Sequence, residues 1–128
     1  MPYDQRYRPN TPTSLVDGNN ADRRRMVAGA TAANGAPDNG TTGFGCGGYE
    51  RVILEAQAVG TSAYYDVDVW FRYGASGLWI RDANVGTQRI NSASPSAFVV
   101  CVDGACAVYV QCSNFYGSAS ANVWGEGQ

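Results

Sequence analysis

The segment YYDVDVWFRY, residues 64–73, carries the strongest secondary-structure signal in the chain. Aromatic or aliphatic side chains occupy every second position from residue 65 to residue 73. The positions between them hold Asp66, Asp68, Trp70 and Arg72. A period of two is typical of a β-strand that buries one face and exposes the other. The segment therefore predicts a half-buried strand.

Several shorter segments also favour strands. In residues 50–58, one face would carry Val52, Leu54, Ala56 and Ala58. Further short strands are expected at residues 78–81, 88–90 and 119–125. Two apolar runs, 97–102 and 105–112, are separated by Asp103-Gly104, and such a dipeptide is typical of a two-residue hairpin turn. This number and spacing of strands predict an all-β fold, an antiparallel β-sandwich or jelly roll of about seven or eight short strands.

Residues 1–45 have a different composition from the rest of the chain. They hold four of the five prolines and many Asn, Gly and Thr, without a sustained apolar period. We therefore expect an extended N-terminal arm at residues 1–45 and the sandwich domain at residues 46–128. Within the arm, residues 23–33 are compatible with a short helix capped by Asn20 or with a first strand, and the strand is slightly favoured.

Composition and charge argue against several classes of function. All nine basic residues are Arg, His is absent, and the net charge is −2. Because His is the commonest general base and metal ligand, its absence argues against an enzyme, and no cofactor or metal motif is found. A net negative charge does not favour nucleic acid. No segment resembles an export signal or a membrane span, so we expect a protein that is made in the cytoplasm and has no membrane partner.

Four groups of residues are candidates for binding or chemistry. If Asp103-Gly104 forms a hairpin, Cys101 lies opposite Cys106 at a separation compatible with a disulfide, although reduced buried thiols are favoured in a cytoplasmic protein. Asp66 and Asp68 share one face about 7 Å apart. For this pair, a solvated strand face is favoured over a role in acid–base catalysis or calcium binding. The aromatic candidates, as subunit-interface anchors or as a sugar platform, are Trp70, Trp79 and Trp124. The candidates for docking to a capsid or to sister subunits are Arg23, Arg24, Arg25, Tyr3 and Tyr7, with a solvated Arg run as the alternative.

The stretches GGYERVILEAQAVG, YYDVDVWFRYGASGLWI, AFVVCVDGACAVYVQC and ANVWG, within residues 47–126, resemble small β-sandwich virion proteins of tailed bacteriophages. Those proteins decorate or cement capsids or form head fibres. The resemblance implies a homo-oligomer, often a trimer, that binds the major capsid protein or other virion proteins and strengthens the shell. Two alternatives remain open: a carbohydrate-binding receptor module of a tail or fibre, and a structural component of the tail or connector.

Overall fold

The alternation of apolar and polar residues produces two antiparallel sheets that face each other. The structure is a computed structural model that describes residues 23–74, 77–102 and 104–128. In these ranges the chain forms nine β-strands and no helix, which confirms the all-β prediction. The strands are β1 (Arg23–Ala30), β2 (Phe44–Gly45), β3 (Arg51–Val59), β4 (Tyr64–Arg72), β5 (Trp79–Arg81), β6 (Gln88–Asn91), β7 (Ser96–Cys101), β8 (Ala107–Tyr116) and β9 (Ser120–Gly127).

The strand order defines which edges of the sandwich lie next to each other. The first sheet has the order β1-β9-β3-β7, and the second has the order β2-β8-β4-β5. β5 and β6 both pair with the same edge of β4. β5 pairs with residues 70–72, and β6 pairs with residues 64–67. Every pairing is antiparallel. β1 and β7 are therefore the two edges of the first sheet.

The core lies between β3 and β4, as the period of two predicts. The inward faces carry Val52, Leu54, Ala56 and Ala58 from β3, and Tyr65, Val67, Val69 and Phe71 from β4. Tyr65 is fully buried, and its hydroxyl crosses the interior to donate to the Gln57 carbonyl of the first sheet at 2.8 Å. The hydroxyl also lies 3.4 Å from the carbonyl of Asn122. This side chain therefore joins the two sheets through a polar contact as well as through packing.

The predicted hairpin between residues 97–102 and 105–112 is wrong. β7 pairs with β3 in the first sheet, whereas β8 pairs with β2 and β4 in the second. The Ala105 amide donates to the Val102 carbonyl at 2.7 Å, but the runs on either side of this bond belong to different sheets. Both runs bury one apolar face, which suits opposite sheets of a sandwich as well as it suits adjacent strands of one sheet.

The predicted boundary near residue 45 also needs correction. Residues 23–30 form β1, as the strand alternative predicted, and residues 44–45 form β2, so the sandwich includes residues from 23 onward. Between them, the Asn34 side chain accepts from the Cys112 amide at 2.8 Å and donates to the Val110 carbonyl at 3.0 Å. Asn34 thus covers part of the edge of β8 that the short strand β2 leaves open.

Candidate binding surfaces

The two carboxylates on the outer face of β4 are held in ion pairs. Oδ1 of Asp66 accepts from Nε of Arg89 at 2.9 Å, and Oδ2 accepts from Asn114 at 2.9 Å. The hydrogen bond from Arg89 holds the pKa of Asp66 below its ordinary value, although burial acts in the opposite direction. Asp68 accepts from Arg81 and from the Thr87 hydroxyl, both at 2.7 Å.

The same face was predicted for Asp66 and Asp68, and the structure places both there. Their guanidinium partners come from β6 and β5, which lie along the other edge of β4. An ionised carboxylate paired with Arg has no proton to donate. Its negative charge is already balanced, so it is also a poor ligand for calcium. The arrangement therefore favours a structural role for both carboxylates.

Aromatic side chains border these ion pairs on the outer face of the second sheet. Nε1 of Trp70 donates to Gln111 of β8 at 2.9 Å. Tyr64 stacks on Tyr116 with ring centroids 4.9 Å apart, and the Arg89 guanidinium lies 4.0 Å from the centre of the Tyr64 ring. Tyr116 is the exposed member of the stack. The polar groups of Asp66, Asp68 and Trp70 on this face are therefore hydrogen-bonded within the protein.

Trp79 belongs to a separate cluster at the other end of β4. Its ring lies 6.0 Å from that of Tyr109, and the Arg72 guanidinium lies 5.0 Å from its centre. Arg72 is only 8% exposed. It donates to the carbonyls of Gly77 at 2.9 Å, Asn39 at 3.1 Å and Thr41 at 3.2 Å. Arg72 thus connects β4 to two loops, a role that its outward position in the strand pattern did not reveal.

Trp124 lies on the outer face of the first sheet, between two residues of the Arg run. The guanidiniums of Arg23 and Arg25 lie 5.2 and 5.4 Å from its ring centre. Arg23 also forms an ion pair with Glu55 at 2.5 Å, and Arg25 donates to the Asn122 side chain. The three Trp residues therefore do not form one platform, and Arg23 and Arg25 contact groups on the outer face of the first sheet.

Arg24 has a different environment from its two neighbours. It lies opposite Gly125 in β9, and its guanidinium lies 4.6 Å from the centre of the Phe44 ring in the other sheet. Because side chains alternate along β1, Arg24 lies on the opposite face of the strand from Arg23 and Arg25. The predicted docking residues Tyr3 and Tyr7 lie outside the described residues.

The cysteines do not have the arrangement that the hairpin implied. Cys101 lies opposite Arg51 at the exposed end of β7, and all four thiols are free. The cross-strand neighbour of Cys106 is Cys46, whose amide donates to the Cys106 carbonyl at 3.0 Å. Burial raises the pKa of Cys112 to about 12. Burial, together with the nearby Cys106, raises the pKa of Cys46 to about 11. The geometric basis of the Cys101–Cys106 disulfide prediction is therefore wrong.

An apolar groove between β5 and β7 is a feature that sequence reasoning missed. It has a volume of about 600 Å³ and lies where the free edges of the two sheets meet. Its walls include Tyr73, Ile80 and Val99, which are 54%, 55% and 57% exposed. Leu78, next to β5, is 75% exposed. The only hint in the sequence is the apolar run 78–80, since its pattern does not show that β5 lies at an edge.

In the part of the chain that the structure describes, no group of three or more Cys, Asp or Glu residues could hold a metal ion. Within the same ranges, no helix is long and apolar enough to cross a membrane.

Comparison with known proteins identifies no relative. No family model matches the chain, and no curated protein or solved structure shows significant similarity to it.

Proposed function

We propose that this chain is a non-enzymatic structural protein of a virus particle, which attaches to the outside of a phage shell and stabilises it. The observation that supports attachment is the groove between β5 and β7. Apolar side chains exposed together along a groove are typical of a contact with another protein. The resemblance of residues 47–126 to small virion sandwich proteins supports the identity of that partner as the major capsid protein.

The charged side chains of the groove are held by contacts within the chain. Arg81 is paired with Asp68 at 2.7 Å, and Asp82 accepts from the Asn84 amide at 3.0 Å. Tyr73, Ile80 and Val99 supply exposed apolar surface on which a partner could bury area. Aromatic and aliphatic residues at the centre of an interface contribute most of its affinity when water is excluded from them.

The test uses particles assembled from a genome that encodes either the wild-type chain or the Ile80→Asp variant. We expect the wild-type chain to co-purify with particles and the variant to be lost, because a carboxylate in the groove would have to be desolvated on binding. Val59→Asp is the matched control, since Val59 is exposed at the end of β3 and does not line the groove. The amount of chain per particle is measured by quantitative mass spectrometry, and circular dichroism checks that each variant is folded.

Two results would contradict the proposal. One is the absence of the wild-type chain from purified particles. The other is full occupancy of the Ile80→Asp variant, which would show that the groove does not mediate attachment.

Carbohydrate binding is a second candidate, supported by the exposed Tyr116 ring on the outer face of the second sheet. A sugar ring could stack on this tyrosine. However, the neighbouring Asp66, Asp68 and Trp70 already form hydrogen bonds within the protein. A glycan array probed with wild-type protein and with Tyr116→Ala tests this candidate, which requires binding that the substitution abolishes.

A further inference from the structure

Arg72 holds a buried positive charge that no carboxylate in the described ranges neutralises. Its guanidinium donates to three carbonyl oxygens, which are dipoles and carry no net charge. A guanidinium has five N–H groups, so two remain available after these three bonds. Because a buried charge is costly unless an opposite charge accompanies it, Arg72 favours the binding of an anion beside it.

A depression of about 550 Å³ is lined in part by Arg72. A second Arg, Arg24, and the glycine-rich loop that leads into β2 also border it. The lining residues are Arg24, Asn39, Gly40, Thr41, Thr42, Gly43, Gly45, Arg72, Cys106 and Ala107. This set includes two cations and no carboxylate. We call the depression the Arg24–Arg72 pocket.

The nearest acidic residue in the loop is engaged in its own turn. Oδ1 of Asp38 accepts from the Gly40 amide at 2.9 Å and from the Thr41 hydroxyl at 3.2 Å. The Asp38 carbonyl also accepts from the Thr41 amide at 3.1 Å, which closes a β-turn. Asp38 therefore stabilises the loop that presents the Thr41 carbonyl to Arg72, and it forms no ion pair with either Arg of the pocket.

Gly45 of β2 borders the pocket on the side away from β4. Because the Cys46 amide bonds to the Cys106 carbonyl, Gly45 lies in a non-hydrogen-bonded position opposite Ala107. The N–H of Gly45 consequently points away from β8, at the outer edge of the second sheet. A Cβ built on Gly45 would have no heavy atom within 4 Å, so the space beside its Cα is open.

We propose that the Arg24–Arg72 pocket binds a tetrahedral oxyanion of the phosphate class. The pocket is lined by Arg24 of β1 and Arg72 of β4. N–H donors on two separate strands match a ligand whose oxygens point in several directions better than they match a flat carboxylate. The charge of a phosphate also balances that of two Arg residues. The site is independent of the attachment surface proposed above, since none of its lining residues borders the β5–β7 groove.

Inorganic phosphate is the probe that tests the pocket. Amide nitrogen–proton spectra of the full chain are recorded during titration with phosphate at constant ionic strength and pH. We expect saturable shifts at Gly43 and Gly45. Saturation is the informative feature, because phosphate also stabilises folded proteins without a site, and that effect does not saturate or depend on single residues.

Two variants test whether phosphate binding depends on the pocket. Arg24→Gln is expected to weaken phosphate binding about tenfold, the usual scale for loss of one charged hydrogen bond. Arg51→Gln is the matched control, since Arg51 is exposed and does not border the pocket, and its affinity is expected to equal that of the wild type. Arg24 is chosen because loss of Arg72 would also release two loops from β4.

Three results would overturn the proposal. They are the absence of saturable shifts, equal weakening in both variants, and an equal response to acetate, which would indicate a carboxylate site. A titration with glycerol 3-phosphate then distinguishes free phosphate from a phosphate ester. Binding of either compound that depends on Arg24 supports the site.

Discussion

Replacing Tyr65 with Phe is expected to destabilise the fold while leaving its shape intact. The substitution keeps the ring, which is fully buried and stacks on Phe115 with centroids 5.4 Å apart. It removes the hydroxyl that donates to Gln57 of the opposite sheet at 2.8 Å. Since Gln57 pairs with Asn122 across β3 and β9, the lost bond lies at the centre of the first sheet.

The expected loss of stability follows from the burial of this hydrogen bond. A hydrogen bond contributes about 1 kcal/mol net, and a buried acceptor that loses a partner adds to the cost, so we expect a loss of about 1–2 kcal/mol in the free energy of unfolding. For a domain of this size, that corresponds to a decrease of roughly 5–10 °C in the midpoint of thermal unfolding.

Urea and thermal denaturation measure both quantities. Tyr116→Phe is the matched control, because Tyr116 is 58% exposed and the same hydroxyl is removed at the surface. The urea m-value should be equal in all three proteins, which would show that the same surface is exposed on unfolding. If Tyr65→Phe unfolds within about 0.3 kcal/mol of the wild type, the hydroxyl does not contribute to the contact between the sheets and the reasoning fails.

Further predictions concern strain, acid, alkali and thiol reactivity. Gly43→Ala should destabilise the chain more than Gly35→Ala. Both glycines have positive φ, +72° and +76°, but only at Gly43 would a Cβ lie 2.8 Å from the Val108 carbonyl and the Trp79 ring. Equal urea midpoints of the two variants would contradict this prediction. Because the pKa of Asp66 is lowered in the folded chain, its ionised carboxylate contributes to stability above the unfolded pKa of about 3.9. This contribution is lost as pH falls through the folded pKa. The stability that the Asp66→Asn variant loses in acid should therefore be smaller than that of the wild type. The pKa of Cys112, raised to about 12, means that stability should fall as pH rises above about 8.5, and Cys112→Ala should reduce that slope in alkaline urea titrations. Cys101 should react first with a thiol reagent in the folded chain, and mass mapping that finds Cys112 modified as fast would refute the assigned burial.

The alternation of residues was sufficient to predict the two central strands. In β3 and β4 the faces predicted to be apolar are the buried ones, and Asp66 and Asp68 lie together on the outer face. A period of two is a property of each strand alone, so the buried face of a strand can be predicted without knowing its pairing partners. β1 was predicted only as an alternative to a helix, and β2 was missed because two residues carry no period.

The sequence by itself determined the class of fold and the buried faces of the central strands. Only the tertiary structure decided that residues 97–102 and 105–112 belong to different sheets. It also decided that the Arg run divides between Trp124 and Phe44 and that Cys106 adjoins Cys46. The groove and the Arg24–Arg72 pocket were decided in the same way, since each combines residues that are distant in the chain. The physical reason is that periodicity reports which side of a strand is apolar, whereas pairing depends on how two sheets can close over one core. Several pairings satisfy the same local pattern, and packing of the whole chain selects one of them.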